Sequence, residues 1–192
     1  MRIIAGTYRS RPMQAPAGLA TRPTSDRLRE TLFNVLTPRI QGAAFLDLYA
    51  GSGAVGIEAL SRGAEHVVFV ERAPTALKVL RANLARLGLT DGFSLQTGSV
   101  GTYLRRMQTE LKQFDLVFLD PPYDAAEEYA ATLGLLGGAA ENLLSTGTVV
   151  IAEHRRKERL EENYGSLART RLLEQGDAGL SFYSSLERRA TE

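Results

Sequence analysis

From residue 43 onward, short apolar runs alternate with stretches in which apolar residues return every three or four positions, the signature of crossover units building a mainly parallel sheet. The pattern predicts buried strands at Phe45–Tyr49, His66–Glu71, Phe93–Thr97, Asp115–Asp120 and Thr148–Glu153. Between them, Pro74 suits the first turn of a helix whose Leu77, Leu80, Leu84 and Leu87 form one stripe ended by Gly88. Further helices are expected at Ala54–Arg62, stopped by Gly63, and at Val100–Leu111 and Glu127–Leu136. The tail reads differently, with strand-like Thr170–Leu173 and Leu180–Leu186 joined by a turn and therefore antiparallel. Upstream, Arg2–Ala5 and Pro12–Ala15 suggest a small hairpin. After a loop to Ser25, the residues Leu28, Leu32, Val35 and Leu36 mark a helix face that Thr24-Ser25-Asp26 is suited to cap.

A chain of 192 residues supports one main domain, and 44% hydrophobic with 23% charged residues is ordinary for a folded globular protein. Residues 1–40 read as a basic extension and 41–192 as the main domain. No run approaches the roughly 18 apolar residues of a membrane span, and the N-terminus lacks the apolar core of a signal peptide, so a cytoplasmic protein is expected. With no Cys and two isolated His, disulfide, thiol and zinc chemistry are set aside and no metal is expected. The net charge of +1 conceals an asymmetry, since residues 1–40 carry seven Arg against two acids while the remainder is net acidic. An Arg-rich arm suits phosphate, because guanidinium forks bind its oxygens in pairs; solvated surface explains the count equally well. The run His154–Arg159 reads as a solvated helix face.

The stretch Phe45-Leu-Asp-Leu-Tyr-Ala-Gly51-Ser-Gly53-Ala-Val-Gly56 is a strand, a glycine turn and a helix start, the geometry of a nucleotide site. Glu71 ends the next strand, 20 residues beyond Gly51, where an acid can accept hydrogen bonds from ribose hydroxyls. These features serve NAD and S-adenosylmethionine alike. Asp47, four residues before Gly51, favours a cofactor with positive charge near the turn over a pyrophosphate that a carboxylate would repel; capping local backbone amides is its structural alternative.

The fourth strand ends in Asp120-Pro121-Pro122-Tyr123, at the edge where open parallel sheets bind ligands. Two prolines stiffen the loop and leave carbonyls with no competing amide donors. The Asp120 carboxylate and Pro121 carbonyl are placed to accept the two N–H bonds of an exocyclic amine, steering its lone pair toward an electrophilic methyl, while Tyr123 stacks on the base. The same residues can also simply end a strand and begin a turn.

Asp120-Pro-Pro-Tyr123 with Asp47, Gly51-Ser-Gly53 and Glu71 resembles the S-adenosylmethionine-dependent amino-group methyltransferases. Met1 to Ser10, Arg22-Pro-Thr-Ser-Asp-Arg-Leu-Arg-Glu-Thr-Leu-Phe-Asn34 and Asp47 to Gly63 resemble more narrowly the RsmD family, over nearly the whole chain. That resemblance implies a Rossmann-like α/β fold with a mainly parallel seven-stranded sheet and an antiparallel C-terminal strand. It implies methyl transfer to the N2 amine of a guanine in 16S ribosomal RNA of the small ribosomal subunit. Carried onto this sequence, it places Asp47, Tyr49, Gly51, Ser52, Gly53, Glu71, Arg72 and Asp120 around the cofactor and Asp120 to Tyr123 at the base. Arg2, Arg9, Arg11, Arg22, Thr24 and Arg27 fall near the RNA. Where such enzymes often carry Asp or Asn for the adenine amine, this chain reads Thr97-Gly98-Ser99, so Ser99 or backbone amides stand in.

Three rivals remain open. A nicotinamide oxidoreductase leaves Asp120–Tyr123 without a task, a non-catalytic RNA binder leaves the rigid acceptor loop unexplained, and a DNA adenine methyltransferase lacks an evident target-recognition domain. No long apolar stripe demands a partner, so a monomer is expected.

Overall fold

The computed structural model describes residues 1–15, 25–122 and 126–185. In chain order the elements are α1 (Asp26–Ile40), β1 (Ala44–Leu48), α2 (Ala54–Ser61), β2 (His66–Glu71), α3 (Pro74–Arg86), β3 (Phe93–Thr97), α4 (Val100–Arg106), β4 (Phe114–Leu119), α5 (Ala126–Leu136), β5 (Leu144–Arg155), β6 (Asn163–Tyr164), β7 (Leu167–Gln175) and β8 (Ala178–Ser185). Strands lie in the order β3-β2-β1-β4-β5-β8-β7-β6, the first five parallel, β8 antiparallel to β5 and β7, and β6 antiparallel to β7. The sheet therefore has eight strands rather than seven. The eighth, β6, is two residues long, too short for alternation to register in the sequence.

Apolar alternation sets the layers. Phe45, Val67, Phe69, Leu116, Phe118 and Ile151 face α1, α2 and α3, whereas Leu46, Leu48, Val68, Val117, Leu119 and Val150 face α4 and α5. The sequence stripe of α3 places Leu77, Leu80 and Leu84 in the core, and Gly88 (φ 71) follows its end. Ser25 caps α1, its hydroxyl accepting the Leu28 amide at 3.1 Å. The α4 pattern stops short of Leu111, because the chain tightens into a 3-10 turn at Met107–Thr109, and Leu111 is 99% exposed.

The N-terminal segment is a narrow hairpin with a single bridge, Arg2 to Pro12, supported by the amides of Ile3 and Met13 donating to the carbonyls of Arg11 and Met1. It is docked by a buried carboxylate: Glu58 on α2 accepts from the amides of Ile4 and Ala5 at 2.8 and 3.0 Å. Ile3, Met13 and the α1 residues Leu32 and Phe33 share a core cluster with β1 and α2. The run read as a solvated helix face folds otherwise. His154 and Arg155 end β5, paired with Gly179 and Ala178 of β8, and His154 is 4% exposed. Ladder hydrogen bonds to β8 outweigh the helical charge pattern, and only the residues after Arg155 turn outward. Among the described residues no helix is long and apolar enough to cross a membrane.

Candidate functional site

At the C-terminal end of β1 the chain turns sharply, with Tyr49, Gly51 and Gly53 at φ 61, 57 and 79. A side chain on Gly51 would project into open space ahead of the turn, where only the Tyr49 carbonyl lies within 4 Å, at 3.9 Å. Gly56 does different work. A Cβ there would sit 2.3 Å from the Phe69 ring, so its absence lets the first turn of α2 lie against β2. The Gly56 amide donates to Asp47 Oδ2 at 2.9 Å, so the carboxylate fastens strand to helix as well as facing the turn. Asp47 is 2% exposed, and burial raises its pKa to about 7 against the stabilising bond from Gly56, with the Glu71 charge adding to the rise.

Glu71 holds the neighbouring loops. Its Oε2 accepts the Gly51 amide at 2.8 Å and its Oε1 those of Arg72 and Ala73 at 2.8 and 2.7 Å. Register then brings more acids to the same edge. Leu48 lies beside Val70 and Leu119, and Leu119 beside Ala152, so the next positions, Glu71, Asp120 and Glu153, stand at one level. Asp47 lies two residues lower. Because side chains alternate, all four share the face of Phe45, Phe69, Phe118 and Ile151. The row spreads along the edge: among the described residues no group of three or more His, Cys, Asp or Glu converges as a metal site.

Asp120 is half-buried at the end of β4, followed by buried Pro121 and exposed Pro122. Burial raises its pKa well above the usual carboxylate value, and the Glu153 and Asp47 charges push the same way. Tyr123, Arg22 and Thr24 lie outside the described residues.

The other expected site residues divide. The Tyr49 hydroxyl is tied to Glu128 and Thr132 of α5 at 2.8 and 2.7 Å, and burial raises its pKa. Arg72 is exposed, with a 3.9 Å ion pair to Glu128. Ser99 caps α4, its hydroxyl accepting the Thr102 amide at 3.2 Å, so that hydroxyl already has a structural task. Arg2, Arg9, Arg11 and Arg27 are exposed, and Arg2, Arg9 and Arg27 line one groove of about 630 Å³ together with Asp26 and Glu30. The basic count of the arm overstates its surface charge, because Arg29 is wholly buried among Asp26, Glu58 and the Arg2 carbonyl.

Two residues escaped the sequence reading. Asn83, 1% exposed on α3, donates to the Ser52 carbonyl at 3.0 Å and exchanges hydrogen bonds with the Gln14 backbone, joining the arm to the glycine turn. Its signal was a polar residue on an otherwise leucine-lined face. Glu153, 3% exposed, opens onto a cleft of about 1050 Å³ whose walls include Arg27, Arg155, Arg156, Lys157 and Arg159. Its signal was an acid at the end of the strand expected over Thr148–Glu153, with no motif around it to single it out.

The donor set decides which cofactor fits. A glycine turn fronted by open space, with carboxylates at Asp47, Glu71 and Asp120 on the same face, accommodates a positively charged adenosine cofactor and opposes a pyrophosphate. Comparison with known proteins agrees. The chain is 38% identical over 183 residues to a protein of Bacillus subtilis named putative rRNA methyltransferase YlbH, covering 95% of this chain and 98% of that one. It is 42% identical over 124 residues to the ribosomal RNA small subunit methyltransferase D of Haemophilus influenzae, 64% of each. Among solved structures, a putative methyltransferase, yhhF, from Escherichia coli superposes with a TM-score of 0.81 at 29% identity, covering 96% of this chain and 97% of that one. A putative methylase from Haemophilus influenzae, HI0767, gives 0.77 at 32%, covering 97% and 98%. The model of the family described as conserved hypothetical protein 95 matches residues 1–184, and this chain, RsmD-like in its motifs, belongs to that family.

Proposed function

We propose that the protein transfers a methyl group from S-adenosylmethionine to the exocyclic N2 amine of a guanine in 16S ribosomal RNA. The observation that carries the reading is the carboxylate row: Asp47 beside the glycine turn and Asp120 before two prolines, on one face of one sheet edge. The relatives' names, rRNA methyltransferase and small subunit methyltransferase D, support the substrate class. When bound, the cofactor supplies an activated methyl on a sulfonium. The chain's own residues do the remainder. Asp47, Gly51, Ser52, Gly53 and Glu71 bind and orient, their carboxylates balancing positive charge. Asp120 and the Pro121 carbonyl accept the amine N–H bonds and hold the nitrogen in line with the methyl. As the N–C bond forms the S–C bond breaks, its electron pair staying on sulfur; N2 then sheds one proton, for which Asp120, with its raised pKa, is the adjacent acceptor. Arg2, Arg9, Arg11 and Arg27, with Arg22 and Thr24, contact RNA phosphates. The protein works as a cytoplasmic monomer with a separable role for residues 1–40.

The test is transfer of labelled methyl to unmodified small ribosomal subunits, with the labelled nucleoside identified by chromatography and mass. N2-methylguanosine is expected. Cofactor binding with no label on the particles would move the substrate to free RNA, and label recovered on a nucleoside other than guanosine would overturn the reading.

A further inference from the structure

We propose that Glu153 is the residue that reads the target base as guanine, its carboxylate accepting the ring N1–H while Asp120 and Pro121 take the N2 protons. The inference rests on the guanine-N2 reading above. β4 and β5 are parallel and in register at Leu119 and Ala152, so Asp120 and Glu153 leave the sheet side by side, about 4.8 Å apart at the backbone. Both lie on the face of Phe118 and Ile151. At that separation the Glu153 charge adds to burial in raising the Asp120 pKa.

The strand end that carries Glu153 is held in place. Its carbonyl accepts the Tyr129 hydroxyl at 2.9 Å, and it pairs with Leu180 of β8. The adjoining His154 is fixed between the Arg155 carbonyl and the Ser181 hydroxyl, each at 2.9 Å. Nδ1 faces a carbonyl and so donates, and burial lowers the pKa of the ring, leaving Nε2 to accept from Ser181. Such support fixes the backbone from which the carboxylate leaves the sheet.

The cleft sets a buried acid among basic residues. Glu153 is buried, whereas the basic residues Arg27, Arg155, Arg156, Lys157 and Arg159 line the same cleft, tempered by Asp177 and by Glu174, which pairs with Arg156 at 3.1 Å. An everted nucleotide has the same polarity, phosphates outward and base edge inward. Guanine presents two adjacent donors on that edge, N1–H and the N2 amine, which match two adjacent carboxylates. Adenine presents a lone pair at N1, which a carboxylate repels. At about 1050 Å³ the cleft is large enough for a nucleotide; its lining reaches Glu153, and Asp120 stands one strand over, at the end of β4.

The probe is 2-aminopurine, which keeps the C2 amine but has a lone pair in place of N1–H, installed at the methylated position of otherwise unmodified small subunits. Wild-type protein is expected to favour guanine by at least ~100-fold in kcat/KM, since a site built around a donor rejects an analogue lacking it. Glu153→Gln, whose amide can donate to the bare N1, is expected to shrink that ratio at least ~10-fold while calorimetric affinity for S-adenosylmethionine stays unchanged. A purely structural role would lower both rates together and leave the ratio intact, which overturns the assignment. Wild-type protein that methylates both bases within about threefold also overturns it, with no variant needed. Wild-type protein that binds S-adenosylmethionine yet methylates guanine neither in the particles nor in free 16S RNA overturns the guanine reading, and this inference with it.

Discussion

Replacing Asp47 by Asn isolates one buried charge. In the free protein the carboxylate is 2% exposed and its pKa is raised from 3.8 to about 7, chiefly by burial. A raised carboxylate pKa means the fold prefers the neutral acid. The stability is therefore fully present below pH 3.8 and is lost as pH rises through about 7. The whole span of roughly three pKa units corresponds to about 4 kcal/mol, an upper figure because the site can relax. Between pH 5 and 8 about two units remain, or ~3 kcal/mol, equivalent to roughly 5–10 °C in a domain of this size. Asn keeps an oxygen for the Gly56 amide and has no charge to lose. Melting wild type and Asp47→Asn side by side across that range cancels the carboxylates common to both. The Tm of the variant should gain about 5–10 °C on wild type from pH 5 to 8 and level off above pH 7. S-adenosylmethionine should stabilise wild type increasingly as pH rises, and the variant to an extent independent of pH. A Tm difference that is flat across the range would falsify the account of Asp47 as a buried charge awaiting a cationic cofactor.

Other outcomes follow from the same geometry. Asp120→Ala should lower kcat by at least ~100-fold, with cofactor affinity by calorimetry nearly unchanged; an equal loss of affinity would remove Asp120 from the amine site. Because burial, Glu153 and Asp47 all raise the Asp120 pKa, and only the ionised form can take up the proton that N2 sheds, turnover should climb with pH to a plateau whose midpoint lies above the ordinary carboxylate range. Exchanging Arg9 and Arg11 for Gln should reduce the slope of log affinity for RNA against log salt by about 1.4, and an unchanged slope would take both off the phosphate surface. Gly56→Ala forces a methyl to within 2.3 Å of the Phe69 ring and should cost about 1–3 kcal/mol in urea unfolding, whereas a neutral result would mean that α2 has room to move.

Short-range chemistry was legible in this chain. The parallel core, the α3 stripe ended by Gly88, the Ser25 cap and the strand-turn-helix at Gly51–Gly56 all follow from local steric and hydrophobic rules, because each is specified by residues within a turn or two of one another. So were the ends of β1, β2 and β4 as the places for Asp47, Glu71 and Asp120. What the sequence could not supply was distance between residues far apart along it. Glu153 stands beside Asp120 only because β5 inserts next to β4 in register, and Arg29 is buried only because Glu58, 29 residues on, meets it. The run 154–159 was misjudged because pairing with β8, 25 residues later, supplies hydrogen bonds that no local pattern contains. Likewise Asn83 reads as a flaw in a leucine stripe until the arm arrives at Gln14 to use it. Local patterning was enough to set the elements and to place most of the acids at the sheet edge. The tertiary structure decided which of those acids face one another and which basic residues surround them, since alternation and register act between strands and not along one.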